Sequence, residues 1–118
     1  MVQPHEKAAF DSGVVHEIYS TFYLAKDAEW STRLFVLEMK EEDEEGIGTF
    51  IHVDHHAPAL IGSKVDFYAR LDEVKGNSVI CSFEAKCGER LIASGKTGQK
   101  ILKKEKLREI MNSIIKVE

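Results

Sequence analysis

Cysteine is scarce in this chain of 118 residues, which contains only Cys81 and Cys87. The two do not form a Cys-x-x-Cys pair, and they lack the Cys/His spacing of a structural zinc site. If residues 81 to 87 form one strand, the two side chains point to one face about 20 Å apart, too far for a disulfide. The sequence therefore predicts reduced thiols and a cytoplasmic setting.

The chain also lacks an excess of basic charge and lacks long apolar runs. Its 16 Lys and Arg residues are outnumbered by 20 Asp and Glu residues, which gives a net charge of −4. Nucleic-acid phosphates are bound through a basic footprint, so this balance disfavours nucleic acid as a main partner. No apolar run approaches the ~20 residues of a membrane span, and the N-terminal segment does not have the basic-then-apolar pattern of a signal peptide. We therefore expect neither a nucleic-acid nor a membrane partner.

What the chain does contain predicts one α+β domain over residues 1–118. A run rich in β-branched and aromatic residues predicts a first strand at 15–24, and apolar spacings of three and four predict a buried helix at 27–40, capped by Asp27 or Ser31. Period-two alternation then predicts four strands, and an amphipathic tail predicts a terminal helix. Their ranges are 47–56, 64–74, 78–87, 91–102 and, for the tail, 103–118. We expect an antiparallel sheet wrapped around the early helix, with the first strand in that sheet.

Three of the five histidines lie in the stretch "GTFIHVDHHAPALIG", residues 48–62. Strand alternation places His55 with the aliphatic side chains, and His52, Asp54 and His56 on the opposite face. His52 and His56 lie about 13 Å apart along such a strand, too far to share one metal ion at bonds of about 2.1 Å. The sequence therefore predicts no metal site, and a metal hydrolase using these outer-face residues is the weaker alternative. His55 is either a core histidine bonded to a backbone carbonyl or a catalytic group.

The predicted helix carries a second unusual group, Glu38. It lies on one stripe with Ser31, Leu34 and Phe35, so its carboxylate is expected among apolar side chains. Such surroundings raise the pKa of a carboxylate and suit it to acid–base catalysis, although a position at the rim in contact with water is the alternative. Together with His55 and the hydroxyls of Ser31 and Thr32, Glu38 predicts a hydrolytic site.

The order of one strand, a central helix and four strands resembles the hot-dog fold. Residues 46–74 and 82–102 are similar to the fluoroacetyl-CoA thioesterase-like branch of the hot-dog acyl-CoA thioesterases. That branch has a Gly-Thr strand that leads to a Val-x-His-x-Ala-Pro segment and a later glycine. The matching residues here are Gly48, Thr49, Val53, His55, Ala57, Pro58 and Gly62.

The resemblance implies that His55 is the catalytic histidine, that Glu38 is the helix glutamate and that the Gly48 backbone lies against the thioester. The family threonine stands eight residues before the glutamate, which here is Trp30. We therefore expect Ser31 or Thr32 to replace that hydroxyl, or Trp30 to narrow the acyl pocket. Gln99 replaces a family arginine in the last strand. The substrate-binding residues expected from the resemblance are Gly48, Trp30, Phe35, Pro58 and Gln99.

The resemblance also implies hydrolysis of a small acyl-CoA thioester by a homodimer, with each site at the subunit interface and with no metal. No cofactor is implied other than the coenzyme A of the substrate, and further pairing of dimers stays open. The CoA phosphates would need cations, for which the candidates are Lys64, Arg90, Lys96 and Lys100. Because Trp30 and Gln99 depart from the family pattern, a non-catalytic protein that binds acyl-CoA or another small ligand is the alternative.

Overall fold

The computed structural model describes residues 1–10 and 13–117 and has an α+β architecture. A short 3-10 turn at Pro4–Glu6 precedes the first strand. The elements that follow are β1 (Lys7–Phe10), β2 (Gly13–Tyr19), α1 (Thr21–Met39), β3 (Glu44–His55), β4 (Asp66–Lys75), β5 (Ser78–Cys87), β6 (Arg90–Lys103) and α2 (Lys104–Val117). The predicted order of helix, four strands and terminal helix is confirmed, and Glu118 lies outside the described residues.

The four later strands form one antiparallel sheet in the order β3-β6-β5-β4. The prediction that the first strand joins this sheet is wrong. β2 pairs instead with β1, a strand that the sequence reading did not assign, and the two form a separate ladder. A single bridge between Ile18 and Leu60 links that ladder to the segment after β3. As a result, β3 is an edge of the main sheet.

Helix α1 begins at Thr21, six residues before the predicted start at Asp27. Ser20 is its N-cap, and the Ser20 hydroxyl accepts a hydrogen bond from the Tyr23 backbone N–H at 3.1 Å. Asp27 lies inside the helix, where its carboxylate accepts a hydrogen bond from the Tyr19 hydroxyl. The predicted first strand ran too far because Phe22 and Tyr23, which favour strands in isolation, belong to the first helical turn.

Only a narrow face of α1 is buried against the sheet, through Leu24, Ala28, Thr32 and Val36. These residues recur every four positions, and the first two belong to a core that includes Phe83 and Ile92. The predicted buried stripe is therefore wrong in detail, since Trp30 is 56% exposed and Leu34 is 47% exposed in the single chain. The helix therefore exposes a second, apolar face in the single chain.

Gly46 sets how closely α1 approaches β3. A Cβ atom at this position would overlap the Val36 side chain, and the Gly46 carbonyl accepts a hydrogen bond from the Arg33 guanidinium at 3.0 Å. Glycine is thus required by close packing of helix on strand. This contact fixes the part of α1 that lies over the first half of β3.

The terminal helix α2 carries an apolar stripe that is largely uncovered in the single chain, and its exposed members include Ile110, Met111, Ile114 and Ile115. Within residues 1–10 and 13–117, no helix combines the length and apolar character needed to cross a membrane.

Candidate active site

The start of α1 and the end of β3 meet at a hydroxyl and an imidazole. The Thr21 Oγ1 atom lies 3.0 Å from His55 Nδ1. Thr21 is the first residue of α1 and His55 is the last residue of β3, so the contact depends on two element boundaries. A hydroxyl that donates to a histidine nitrogen is the arrangement of an activated nucleophile.

His55 is half-buried, and burial is the main cause that lowers its pKa below the usual value of 6.5. A backbone contact with Ala57 opposes this effect, and the neighbouring His56 adds to it. A lowered pKa favours the neutral imidazole, which is the form that a general base requires.

The second ring nitrogen of His55 has no hydrogen-bond partner. Its Nε2 atom is buried and unbonded among the described residues. When the Thr21 hydroxyl donates to Nδ1, Nε2 carries the ring proton and is a donor. A buried donor without an acceptor is costly, so the described part of the chain leaves this nitrogen unsatisfied.

A carboxylate lies farther along α1, above Gly48. A Cβ atom added at Gly48 would lie 3.0 Å from Glu29 Oε1, so the carboxylate occupies the space that a side chain there would take. Glu29 and Gly48 line a cavity of about 250 Å³ together with Thr49, Phe50 and Ile51. The ladder between β3 and β6 is irregular between Gly48 and Phe50, so a β-bulge interrupts backbone pairing beside this cavity.

The two pairs are separate within one chain. Glu29 comes eight residues after Thr21, which is about 12 Å along a helix axis. Gly48 comes seven residues before His55, which is about 20 Å along a strand. The Glu29 carboxylate therefore does not contact the His55 imidazole of its own chain. A carboxylate, an imidazole and a hydroxyl are nevertheless the groups that commonly act together in one hydrolytic site.

Gln99 lies next to the second pair. It is the cross-strand partner of Gly48 in the β3–β6 ladder, and it is 2% exposed. Its Nε2 atom is buried and, among the described residues, has no hydrogen-bond partner. Two residues earlier in β6, the Thr97 hydroxyl donates to the buried Thr32 hydroxyl at 2.8 Å.

The structure does not bring Glu38 to this site. Of the two positions expected for Glu38, the structure shows the one in contact with water, because its side chain is exposed in the last turn of α1. It lies 17 residues after Thr21, which is about 25 Å along the helix axis. The sequence reading placed it on a buried stripe because it took the wrong face of α1 as the buried one.

The hydroxyls of Ser31 and Thr32 are also engaged elsewhere. Each donates to a carbonyl of α1 itself, Ser31 to Ala28 at 2.7 Å and Thr32 to Glu29 at 3.0 Å. Among the other predicted residues, Phe35 is half-buried beside the Val36 cluster, and the exposed Pro58 accepts a hydrogen bond at its carbonyl from Arg90.

The outer-face histidines form separate polar pairs. His52 Nε2 lies 3.0 Å from an Asp54 oxygen, and His56 Nε2 lies 2.8 Å from the Ser94 hydroxyl. Across residues 1–10 and 13–117, no group of three or more His, Cys, Asp or Glu side chains is arranged to hold a metal ion. A groove of about 680 Å³ lies on this face, lined among others by His52, Tyr68 and Lys96, and it is lined by neither Glu29 nor His55.

Sequence reasoning missed Thr21 and Glu29, although a signal for them was present. They stand eight residues apart, the same spacing that the family pattern gives for its threonine and glutamate. Once Glu38 is taken as the glutamate, that spacing falls on Trp30, which has no hydroxyl. The mismatch at Trp30 therefore favours an alignment in which the family threonine and glutamate fall on Thr21 and Glu29.

The fold and this set of groups define the chain as a hot-dog thioester hydrolase. A hypothetical protein of Thermus thermophilus, described as a thioesterase superfamily member, is 35% identical, with a TM-score of 0.93 over 98% of this chain and 86% of that one. A hot-dog-like protein from Thermanaerovibrio acidaminovorans is 20% identical, with a TM-score of 0.85 over 95% of this chain and 83% of its own.

The match to a family model is more specific than the match to the fold. The model of the fluoroacetyl-CoA-specific thioesterase family, FlK, matches residues 2–105, and the chain belongs to that family. A crystal structure of an FlK mutant in complex with fluoroacetate and CoA is 24% identical, with a TM-score of 0.83 over 95% of this chain and 92% of its own. Comparison with curated proteins gives no match. The protein is an acyl-CoA thioester hydrolase.

Proposed function

We propose that the chain hydrolyses small acyl-CoA thioesters as a homodimer, with Thr21 and His55 of one protomer facing Glu29 and Gly48 of the other. The observation that carries this proposal is the split site. One chain holds a hydroxyl–imidazole pair whose second, buried nitrogen has no acceptor among the described residues, and it holds a carboxylate at a different place.

The open edge of β3 supplies a route to the dimer. β3 pairs with β6 on one side only, and Phe50 and Ile51 are 46% and 40% exposed. A long, apolar, unpaired edge promotes pairing with another chain. Antiparallel pairing of two β3 strands around a two-fold axis between Ile51 and His52 sets Gly48 of one protomer opposite His55 of the other. This register brings the Glu29 carboxylate toward the unpaired His55 Nε2.

The assembled groups then act as a hydroxyl–imidazole–carboxylate set. His55 Nδ1 accepts the proton of the Thr21 hydroxyl as Thr21 Oγ1 bonds to the thioester carbonyl carbon. The C–S bond breaks, and the CoA sulfur leaves with the proton held by His55. Water activated by His55 then hydrolyses the acyl-threonine ester. Glu29 stabilises the charged imidazole, and a backbone N–H at the bulge beside Gly48 binds the oxyanion.

The space at the site favours a small acyl group. The cavity beside Glu29 and Gly48 has a volume of about 250 Å³, and a second cavity of about 290 Å³ follows the outer surface of α1 past Trp30. Lys26 and Arg33 line the second cavity and supply positive charge next to Glu29. In this proposal CoA enters only as part of the substrate, and the reaction uses neither a metal nor another cofactor.

A cytoplasmic location is part of the proposal. Cys81 and Cys87 are both free thiols on β5, and Cys81 is buried. Reduced thiols and the CoA thioester substrate both suit a reducing compartment.

The test is thiol release from a panel of short acyl-CoA thioesters. The panel includes acetyl-CoA and fluoroacetyl-CoA, because FlK structures contain acetyl-CoA or fluoroacetate with CoA. We expect turnover by the wild type, a loss of roughly a hundredfold in Glu29→Gln, and little change in Glu38→Gln, a matched control on the same helix. If Glu38→Gln loses activity and Glu29→Gln does not, the proposed carboxylate is wrong. If no member of the panel is hydrolysed, the proposed substrate class is wrong.

A further inference from the structure

We infer that Gln99 is a positioning residue that donates a hydrogen bond from its side-chain amide to the Glu29 carboxylate and so holds it toward the partner's imidazole. The inference rests on the proposed function. It goes beyond that function because it gives a role to a residue that lies beneath the site on another strand.

The first support is the state of the Gln99 side chain. It is 2% exposed, and its Nε2 atom has no partner in the described part of the chain. The residues around this part of the sheet are mostly apolar, with Val36, Val79 and Cys81 in one cluster and Val79 opposite Gln99 in the β5–β6 ladder. An amide buried in such surroundings is expected to have a hydrogen-bond partner.

The second support is reach. Gln99 and Gly48 are direct cross-strand partners, so their side-chain directions share a face, with Cβ positions about 5 Å apart. Glu29 Oε1 lies 3.0 Å from the Cβ position of Gly48. The Gln99 amide nitrogen extends up to about 4 Å from its own Cβ. Rotation about the side-chain bonds therefore brings the donor and the carboxylate within hydrogen-bond distance.

The third support is the match between donors and acceptor. In the described chain, the two buried side-chain atoms without partners are His55 Nε2 and Gln99 Nε2, and both belong to groups that can donate. Glu29 carries two carboxylate oxygens, one of which lies 3.0 Å from the Cβ position of Gly48, the strand partner of Gln99. In the proposed dimer one oxygen accepts from the imidazole of the facing protomer and the other accepts from Gln99.

The inference predicts a loss of activity that a loss of stability does not explain. In Gln99→Met the side chain keeps its length but loses the hydrogen bond to Glu29. We expect a kcat lower by roughly tenfold to a hundredfold with KM changed less, and a melting temperature lowered no more than that of Thr97→Val. Thr97→Val is the matched control, because it removes a satisfied buried hydroxyl and should lower the melting temperature without this loss of kcat.

A second variant tests the contact through its charge. Gln99→Glu keeps the shape of the side chain but places another carboxyl beside Glu29, so the acid limb of the kcat profile should move to higher pH. An acid limb unchanged from that of the wild type overturns the inference, as does a Gln99→Met variant that keeps its kcat. These outcomes are separate from failure of the proposed function, which would appear as an unaffected Glu29→Gln variant.

Discussion

The two ends of the candidate site differ in how much of their bonding one chain supplies. At the start of α1, Thr21 and His55 already lie 3.0 Å apart. Two turns farther along the helix, the Glu29 carboxylate lies over Gly48, whose strand partner Gln99 has an amide nitrogen without a partner among the described residues. Within the single chain, the first end brings a hydroxyl to the imidazole, and the second end holds the carboxylate apart from it.

This difference is the basis of the proposed dimer. Within one chain, the Glu29 carboxylate lies over Gly48, about 20 Å along β3 from His55. Rotation of the two side chains does not bring the carboxylate to the imidazole across this distance. Pairing of two identical β3 edges does so twice in one dimer, because a two-fold axis repeats every contact.

The largest effect is expected from removal of the imidazole. His55→Gln should lower kcat/KM by about a thousandfold, because both the base and the link to the carboxylate are lost. His56→Gln is the control, since His56 bonds to Ser94 on the other face of the sheet. Thiol release measured for both variants checks the prediction, and equal losses would show that general damage to β3 explains the effect.

An intermediate effect is expected from two glycines on β3. Gly48→Ala should lower kcat by about tenfold with little change in melting temperature, because its Cβ displaces the flexible end of Glu29. Gly46→Ala should instead destabilise the fold by about 1–3 kcal/mol, because its Cβ overlaps Val36. Thermal unfolding and steady-state kinetics of both variants separate the two roles. The proposed difference between the two glycines is contradicted if Gly48→Ala keeps full activity and melts at as low a temperature as Gly46→Ala.

The smallest effect is the dependence of stability on pH. Burial lowers the pKa of folded His55 below 6.5, so the unfolded chain binds the proton more readily. The contribution of His55 to the free energy of unfolding is complete above the pKa that His55 has in the unfolded chain. It is lost as the pH falls through the pKa of His55 in the folded chain. Between about pH 8 and about pH 5, urea unfolding should therefore show a larger loss of stability for the wild type than for His55→Gln, at fixed protein concentration. Parallel losses would contradict the burial of the imidazole.

Much of this architecture was predictable from local patterns. The period-two alternation of β4 and β5 and the turn at Gly76 depend on neighbouring residues, and the structure confirms both strands. His55 was identifiable because alternation separated it from His52, Asp54 and His56. These features are local, so the sequence alone defines them.

The helix could not be read in the same way. Its buried face carries Ala28 and Thr32, whereas its exposed face carries Trp30 and Leu34, so hydrophobicity favoured the wrong face and led to Glu38. In the proposed dimer, a second chain would cover the exposed apolar residues of α1. An apolar residue that packs against another chain looks the same in a sequence as one that packs in the core. The Thr21–His55 contact joins residues 34 positions apart, and it was accessible only through the threonine–glutamate spacing.

Mixing two inactive variants tests the composite site most directly. Glu29→Gln and His55→Gln chains, unfolded together at equal concentration and refolded, should form mixed dimers in half of the population. Each mixed dimer contains one intact site, so thiol release should recover to about a quarter of the wild-type rate. If both catalytic groups came from the same chain, every site would carry a substitution. Activity of the mixture no higher than the average of the separately refolded variants would then contradict the account.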